Sequence, residues 1–225
     1  MWDIVYFLKD SINNEELRYS LRSLRNFPHA KVWFYGGCPR GLKPDHHVYV
    51  KQDQSNKWNN VSMMLRLACK NKNISSSFWL FNDDLFIMEK IDKPTNYYRG
   101  DFYKRIVQLE DKYNRMTPYS QMLRKTAQEL EDLGLGSKDY TLHIPMLFNK
   151  NKALELFRMT DCCGFRSLYG NYCNLANKTM SDCKIVDNEK TWHGGAYLST
   201  DDKSFNGAVG QQIRSLFPYK CKYEE

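Results

Sequence analysis

Residues 78–88 read Phe78-Trp79-Leu80-Phe81-Asn82-Asp83-Asp84-Leu85-Phe86-Ile87-Met88. The four residues from Phe78 to Phe81, with no polar interruption, describe a strand buried on both faces. Asn82-Asp83-Asp84 stand at its carboxyl end, and a second apolar run follows at once. Adjacent carboxylates there repel each other and lose hydration. A divalent cation relieves both costs, because Mg²⁺ takes oxygen ligands from one or two carboxylates together with substrate phosphates. Open α/β sheets bind ligands just beyond the carboxyl ends of their strands. Two readings follow. In one, Asp83 and Asp84 hold Mg²⁺ or Mn²⁺ beside a nucleotide diphosphate, with Asn82 against the donor. In the other, the triplet is a polar turn between two strands.

Upstream of this stretch the chain alternates. Ile4-Val5-Tyr6-Phe7-Leu8 reads as a buried first strand, and Glu15 to Leu24 as a helix with Leu17, Leu21 and Leu24 inward. Lys31–Tyr35 reads as a second strand closed by Gly36-Gly37, and Val48-Tyr49-Val50 as a short third. Val61 to Cys69 has the spacing of a second helix. Strands alternating with helices imply an α/β fold with a mostly parallel twisted sheet flanked by helices. Downstream, Gln108 to Leu133 is helical and interrupted at Thr117-Pro118. Leu142 to Phe148 reads as a strand, Lys152 to Met159 as a short helix, and Gly207 to Phe217 as a last helix. Cys162 to Thr191 reads as irregular and aromatic. No linker rich in Pro, Gly or Ser appears, so 1–225 is expected to be one domain.

Composition sets limits on the function. Of 225 residues, 42% are hydrophobic and 26% charged, ordinary values for a globular chain. No apolar run approaches the ~20 residues of a membrane helix. Met1-Trp2-Asp3 lacks the basic start of a secretory signal, which points to a cytoplasmic protein. The seven cysteines include no C-x-x-C pair, so free thiols are expected instead of a zinc site or a disulfide framework. The net charge of +7 favours an anionic partner. A nucleic-acid-binding module is therefore a rival reading, with the 14% aromatics serving base stacking.

Several other residues carry candidate chemistry. Lys9 and Asp10 follow the first strand, where a nucleotide base or ribose would lie, although Asp10, Ser11 or Asn13 also suit a helix cap. Lys57 and Asn60 flank the start of the second helix and suit phosphate or sugar hydroxyls, with capping by Asn59 or Asn60 as the alternative. His143, within Tyr140-Thr141-Leu142-His143-Ile144-Pro145, is a candidate base or a satisfied core histidine. Arg166 is a candidate clamp for a diphosphate. Ser199-Thr200-Asp201-Asp202 alone reads as a turn.

Taken in order, these fragments resemble the Stealth family of sugar-phosphate transferases. The resemblance rests on Asp3-Ile4-Val5-Tyr6, on Asn14-Glu15-Glu16-Leu17-Arg18-Tyr19-Ser20-Leu21-Arg22-Ser23-Leu24, and on Trp79 to Phe86. His143-Ile144-Pro145, Phe165-Arg166-Ser167, Ser199 to Asp202, Phe217-Pro218 and Tyr223-Glu224 extend it. Short phage-encoded and bacterial nucleotide-diphospho-sugar transferases look similar. The resemblance implies a GT-A-like fold, a nucleotide-sugar donor and a Mg²⁺ or Mn²⁺ ion on Asp83 and Asp84. It makes Arg166 a candidate diphosphate ligand, His143 a candidate catalytic base or metal-proximal residue, and Asp202 a candidate second metal ligand or acceptor contact. Residues 1–100 would form a nucleotide-binding half and 101–225 an acceptor half. The acceptor would be a glycan, or modified DNA in a phage-infected cell. Attack at the sugar would give glycosyl transfer, and attack at the β-phosphorus would give sugar-1-phosphate transfer. Where the family's first strand continues Thr-Trp-Val-Asp/Asn-Gly, this chain has Phe7-Leu8-Lys9-Asp10-Ser11. That departure favours glycosyl transfer.

Overall fold

The structure is a computed structural model that describes residues 1–53, 57–162, 164–187 and 189–225. Five strands form one sheet: β1 (Asp3–Leu8), β2 (Val32–Gly36), β3 (His46–Val48), β4 (Ser77–Phe81) and β6 (Met146–Asn149), in the order β3-β2-β1-β4-β6. The first four are parallel, and β6 runs antiparallel to β4. A separate pair joins β5 (Leu85–Ile87) to β7 (Tyr197–Ser199). The expected α/β class, with a mostly parallel sheet flanked by helices, is the observed one.

Side-chain alternation sorts the sheet residues onto two cores. Val5, Trp33, Tyr35, Phe78, Leu80 and Phe148 face one side. There they meet α2 (Lys57–Lys70), α3 (Phe102–Tyr113), α4 (Pro118–Asp132), α5 (Lys150–Met159) and α6 (Phe165–Tyr172). Ile4, Tyr6, Leu8, Phe34, Trp79 and Phe81 face the other side, against Leu17 and Leu21 of α1 (Glu15–Ser23). A third cluster packs β5 and β7 against α7 (Asp202–Phe205) and α8 (Ala208–Leu216).

Buried polar groups pin the strands in register. Asp3 accepts from the Lys31 and Ser75 amides and from Trp33 Nε1, tying β1 to β2 and to the turn before β4. At the end of β2, Gly36 has φ +103°, and a Cβ there would stand 2.0 Å from the Leu8 carbonyl oxygen. Only glycine permits that approach.

Several expected elements are corrected. The third strand is His46–Val48, two residues earlier than the Val48–Val50 expectation, because Asp45 Oδ2 accepts from the Val32 amide and sets the edge register. Residues 142–145 lie outside the sheet. Pro145 has no N–H to give a ladder, and the His143 amide donates instead to Asp182 Oδ1 at 3.0 Å. The supposedly irregular 162–191 segment contains α6, whose preceding Gly164 packs so tightly on Thr126 that a Cβ would approach Oγ1 to 2.0 Å. The second helix starts at Lys57, so Asn59 and Asn60 lie inside it and do not cap it. The cap of α1 is Asn14, not Asp10, Ser11 or Asn13. Six of the seven cysteines are described, all as free thiols. Cys163 lies outside the described residues.

The C-terminal segment is strapped to the first helix. Glu224, with its side chain fully buried, takes a two-pronged contact from Arg22 at 2.7 and 2.8 Å and another from Arg18 at 2.8 Å. Burial pushes its carboxyl up, but Arg22 and Arg18 outweigh that and hold it at about 2, below its ordinary 4.5. A carboxylate lowered in the folded state contributes stability above its unfolded pKa and loses it as pH falls through the folded value. The Glu224→Gln variant should therefore lose about 3 kcal/mol at neutral pH in urea denaturation. Its deficit against the parent chain should shrink as pH falls from 4.5 towards 2.

Candidate active site

A cavity of about 660 Å³ opens beyond the carboxyl ends of β1 and β4. It collects residues from most of the chain. Lys57 comes from the first turn of α2, Asn82-Asp83-Asp84 from the end of β4, His143 from the extended approach to β6, and Arg166 from the first turn of α6. Of the residues singled out in the sequence, these six are brought together. Lys9, Asp10, Asn60 and Asp202 do not line the cavity. Lys9 and Asp10 are exposed past the end of β1. Asn60 is buried, accepting from the Asp53 amide and donating to its carbonyl. Asp202 is exposed in the first turn of α7, where Asp201 supplies the cap.

The two carboxylates have different neighbours. Asp84 Oδ2 is paired with Lys184 at 2.7 Å. Asp84 Oδ1 is buried and has no hydrogen-bond partner among the described residues. Asp83 Oδ2 accepts from Asn14 Nδ2 at 2.7 Å. The same Asn14 caps α1, its Oδ1 accepting from the Leu17 amide at 2.8 Å. Burial, then the Asp84 charge, raises the Asp83 carboxyl above its ordinary value. Glu16, in the first turn of α1, is pushed up to about 7 by burial and by Asp84 and Asp83, against the Thr200 hydroxyl that donates to it. The carboxylates thus repel one another, and Lys184 is the counter-charge the protein itself supplies.

Cations dominate the remaining lining. Arg99, Arg105, Arg166, Lys57 and Lys184 line the cavity against the carboxylates of Asp83 and Asp84. The Nε atoms of all three arginines are buried and have no hydrogen-bond partner among the described residues. Arg166 donates from Nη2 to the Ile144 carbonyl at 2.5 Å. Burial lowers its guanidinium to about 10. Arg105 is lowered by burial and then by Arg99. Guanidiniums left underpaired in a half-enclosed space form a site for an anion with several oxygens.

His143 has its own support. Asp182 Oδ2 meets His143 Nδ1 at 2.9 Å and Arg99 Nη2 at 2.6 Å. Burial pushes the Asp182 carboxyl up, but His143 and then Arg99 outweigh it and hold it well below the carboxylate range. Asp182 therefore stays ionised and orients the imidazole, as a carboxylate does in an acid–base pair. Asn14, Arg99, Arg105, Asp182 and Lys184 were not singled out in the sequence. Asn14 did lie inside the first resembling segment. The other four carry no local signal, because they meet only through the tertiary fold.

The adjacent carboxylates of Asp83 and Asp84 suit a divalent ion, and Asp84 Oδ1 is the oxygen with no hydrogen-bond partner among the described residues. Among the described residues, no three His, Cys, Asp or Glu side chains gather into a group that could hold a metal. An ion here would need oxygens from its ligand. No helix is long and apolar enough to cross a membrane, among the described residues searched.

No family model matches the chain, and no curated protein matches it. Among solved structures it is similar to the galactosyltransferase LgtC in complex with donor and acceptor sugar analogues. The TM-score is 0.45 at 11% identity, over 99% of this chain and 98% of that one. The chemistry of the cavity therefore rests on its own residues.

The double task of Asn14 gives a sharp test. Asn14→Asp keeps a capping oxygen but sets a third carboxylate against Asp83. It should lose about 2 kcal/mol at neutral pH, more than Asn14→Ala, which loses the cap and the hydrogen bond to Asp83 but adds no third charge. The order should reverse as pH falls below about 4, where carboxylates protonate. Urea denaturation at several pH values measures both.

Proposed function

We propose that this chain is a metal-assisted transferase of the GT-A type, acting on a nucleotide-diphosphate sugar and an acceptor hydroxyl. One observation carries the reading: Lys57, Arg99, Arg105, Arg166 and Lys184 converge on the Asp83-Asp84 end of a buried strand, and the Nε atoms of the three arginines are buried with no hydrogen-bond partner among the described residues. A diphosphate supplies the negative oxygens those cations lack. Asp83 and Asp84 suit Mg²⁺ or Mn²⁺, since two carboxylates plus phosphate oxygens is a set such an ion accepts. When bound, the ion would neutralise diphosphate charge.

The chain's own groups do the rest. Arg166 and Lys57 hold phosphate oxygens of the donor, with Asn82 beside them. Arg99 and Arg105 add charge that strengthens as the leaving group develops its own. The Asp182 contact at His143 Nδ1 leaves Nε2 to accept the proton of the acceptor hydroxyl. In glycosyl transfer the acceptor oxygen bonds to the anomeric carbon, and the bond from that carbon to the phosphate oxygen breaks. The nucleoside diphosphate leaves with the bond's electron pair. Residues 1–100 supply the strand-end carboxylates, Lys57 and Arg99, and 101–225 supply His143, Arg105, Arg166 and Lys184, so on this reading both parts of the chain face the donor.

A second reading is transfer of sugar 1-phosphate, as the resemblance to Stealth transferases implies. It is favoured by the three guanidiniums, which suit charge spread over the oxygens of a transferring phosphoryl group. There the acceptor oxygen bonds to the β-phosphorus, and the bond to the bridging oxygen breaks, so a nucleoside monophosphate leaves.

Incubation with a panel of nucleotide sugars and Mn²⁺, followed by nucleotide analysis, separates the readings. Glycosyl transfer predicts slow nucleoside diphosphate release, reduced at least about 100-fold by Asp84→Ala. Monophosphate release would replace it with the second reading. Release of neither, with no donor raising the melting temperature, would refute both.

A further inference from the structure

A second cavity, of about 770 Å³, adjoins the first. Trp58 and Met122 line both, so the two meet at the start of α2 and the flank of α4. The outer groove is walled by Gln121, Lys125, Gln128 and Glu129 of α4 and by Thr160 and Asp161 after α5.

The electrostatic character changes between the two. The inner cavity has five basic side chains against two carboxylates. In the groove, Asp161 is already paired with Arg66 at 2.8 Å. That leaves Lys125 and Glu129, opposite charges one turn apart on α4. The groove is therefore close to neutral. A polyanionic chain gains affinity from several phosphate contacts to cations, and this surface offers a single lysine. What it does offer is an indole and the primary amide of the exposed Gln121, beside Gln128, whose Nε2 donates to Asp132, and Thr160, whose Oγ1 accepts from the Cys162 amide. Aromatic rings bury the C–H faces of pyranoses, and amides and hydroxyls each donate and accept towards sugar hydroxyls.

We propose that this groove is the acceptor site and that the acceptor is a neutral oligosaccharide or polysaccharide, not a nucleic acid or a phosphorylated chain. The proposal rests on the transferase reading and narrows its substrate. The sugar unit stacked on Trp58 stands where groove and cavity meet, with the rest of the acceptor chain running out along α4.

The test uses the full chain and two kinds of probe. Neutral oligosaccharides (gluco-, xylo-, manno- and N-acetylglucosamine series) and a 20-nucleotide single strand are titrated by ligand-observed NMR and fluorescence. Nucleoside diphosphate binding is followed separately on the same chain. At least one neutral series should bind, with affinity rising from two to four sugar units. Gln121→Trp, which fills the groove from an exposed helix position, should weaken that binding at least tenfold. Lys104→Trp, on α3 outside the groove, should not. Failure of every oligosaccharide to bind, tighter binding of the single strand, or indifference to Gln121→Trp would each overturn the proposal. If diphosphates still bind in those cases, only the acceptor assignment falls. If they do not, the transferase reading falls with it.

Discussion

Two carboxylates on consecutive residues at the end of a buried strand are the constraint around which this molecule is organised. Side chains this close repel, and both give up water. The protein answers from distant parts of the chain. Asn14 reaches Asp83 from the start of α1, and Lys184 reaches Asp84 from a segment 100 residues later. Lys184 is held there by its bridge to Ser199 and the pairing of β7 with β5, while the Thr200 amide donates to the Asp84 carbonyl. The small second sheet thus serves to deliver a counter-charge to the end of the large one.

The basic side of the cavity carries an opposite cost. Arg99, Arg105 and Arg166 have guanidinium nitrogens that are buried and unpartnered among the described residues. Desolvation lowers Arg105 and Arg166, the latter to about 10. Asp139 and Asp182 offset part of this cost through Arg99. On the proposed reading a diphosphate would relieve the rest, so that charge held at a cost in the free protein becomes binding energy with its donors already oriented. The same Asp182 also meets His143, so one carboxylate joins the imidazole to the Arg99 guanidinium.

Much of this was legible in the sequence, for specific reasons. β1, β2 and β4 are uninterrupted apolar runs, and the strand-end triplet Asn82-Asp83-Asp84 is visible wherever such a run stops. His143, Lys57 and Arg166 stand out by residue type and position, and all three line the cavity. Other features were hidden. β3 is an edge strand whose histidines do not look like strand residues, and β7 is three residues long. α6 sits in an aromatic segment without clear helical periodicity, and its position depends on a glycine that fits against Thr126. Asp182 and Lys184 lie in a stretch with no regular structure, and their partners are 39 and 100 residues away. Asp10 looked like a site residue because it follows a strand, and Asp202 because of the resemblance to the Stealth family's closing segment. Here both point to solvent.

The most direct test of the account is calorimetric titration of the chain with nucleoside mono- and diphosphates, with and without Mn²⁺. The account predicts that at least one diphosphate binds about tenfold or more tightly than its monophosphate, and that Mn²⁺ strengthens this preference. Asp84→Asn should remove the metal effect while leaving residual diphosphate binding to the arginines. Monophosphates binding as well as diphosphates, or no nucleotide binding under either condition, would contradict it.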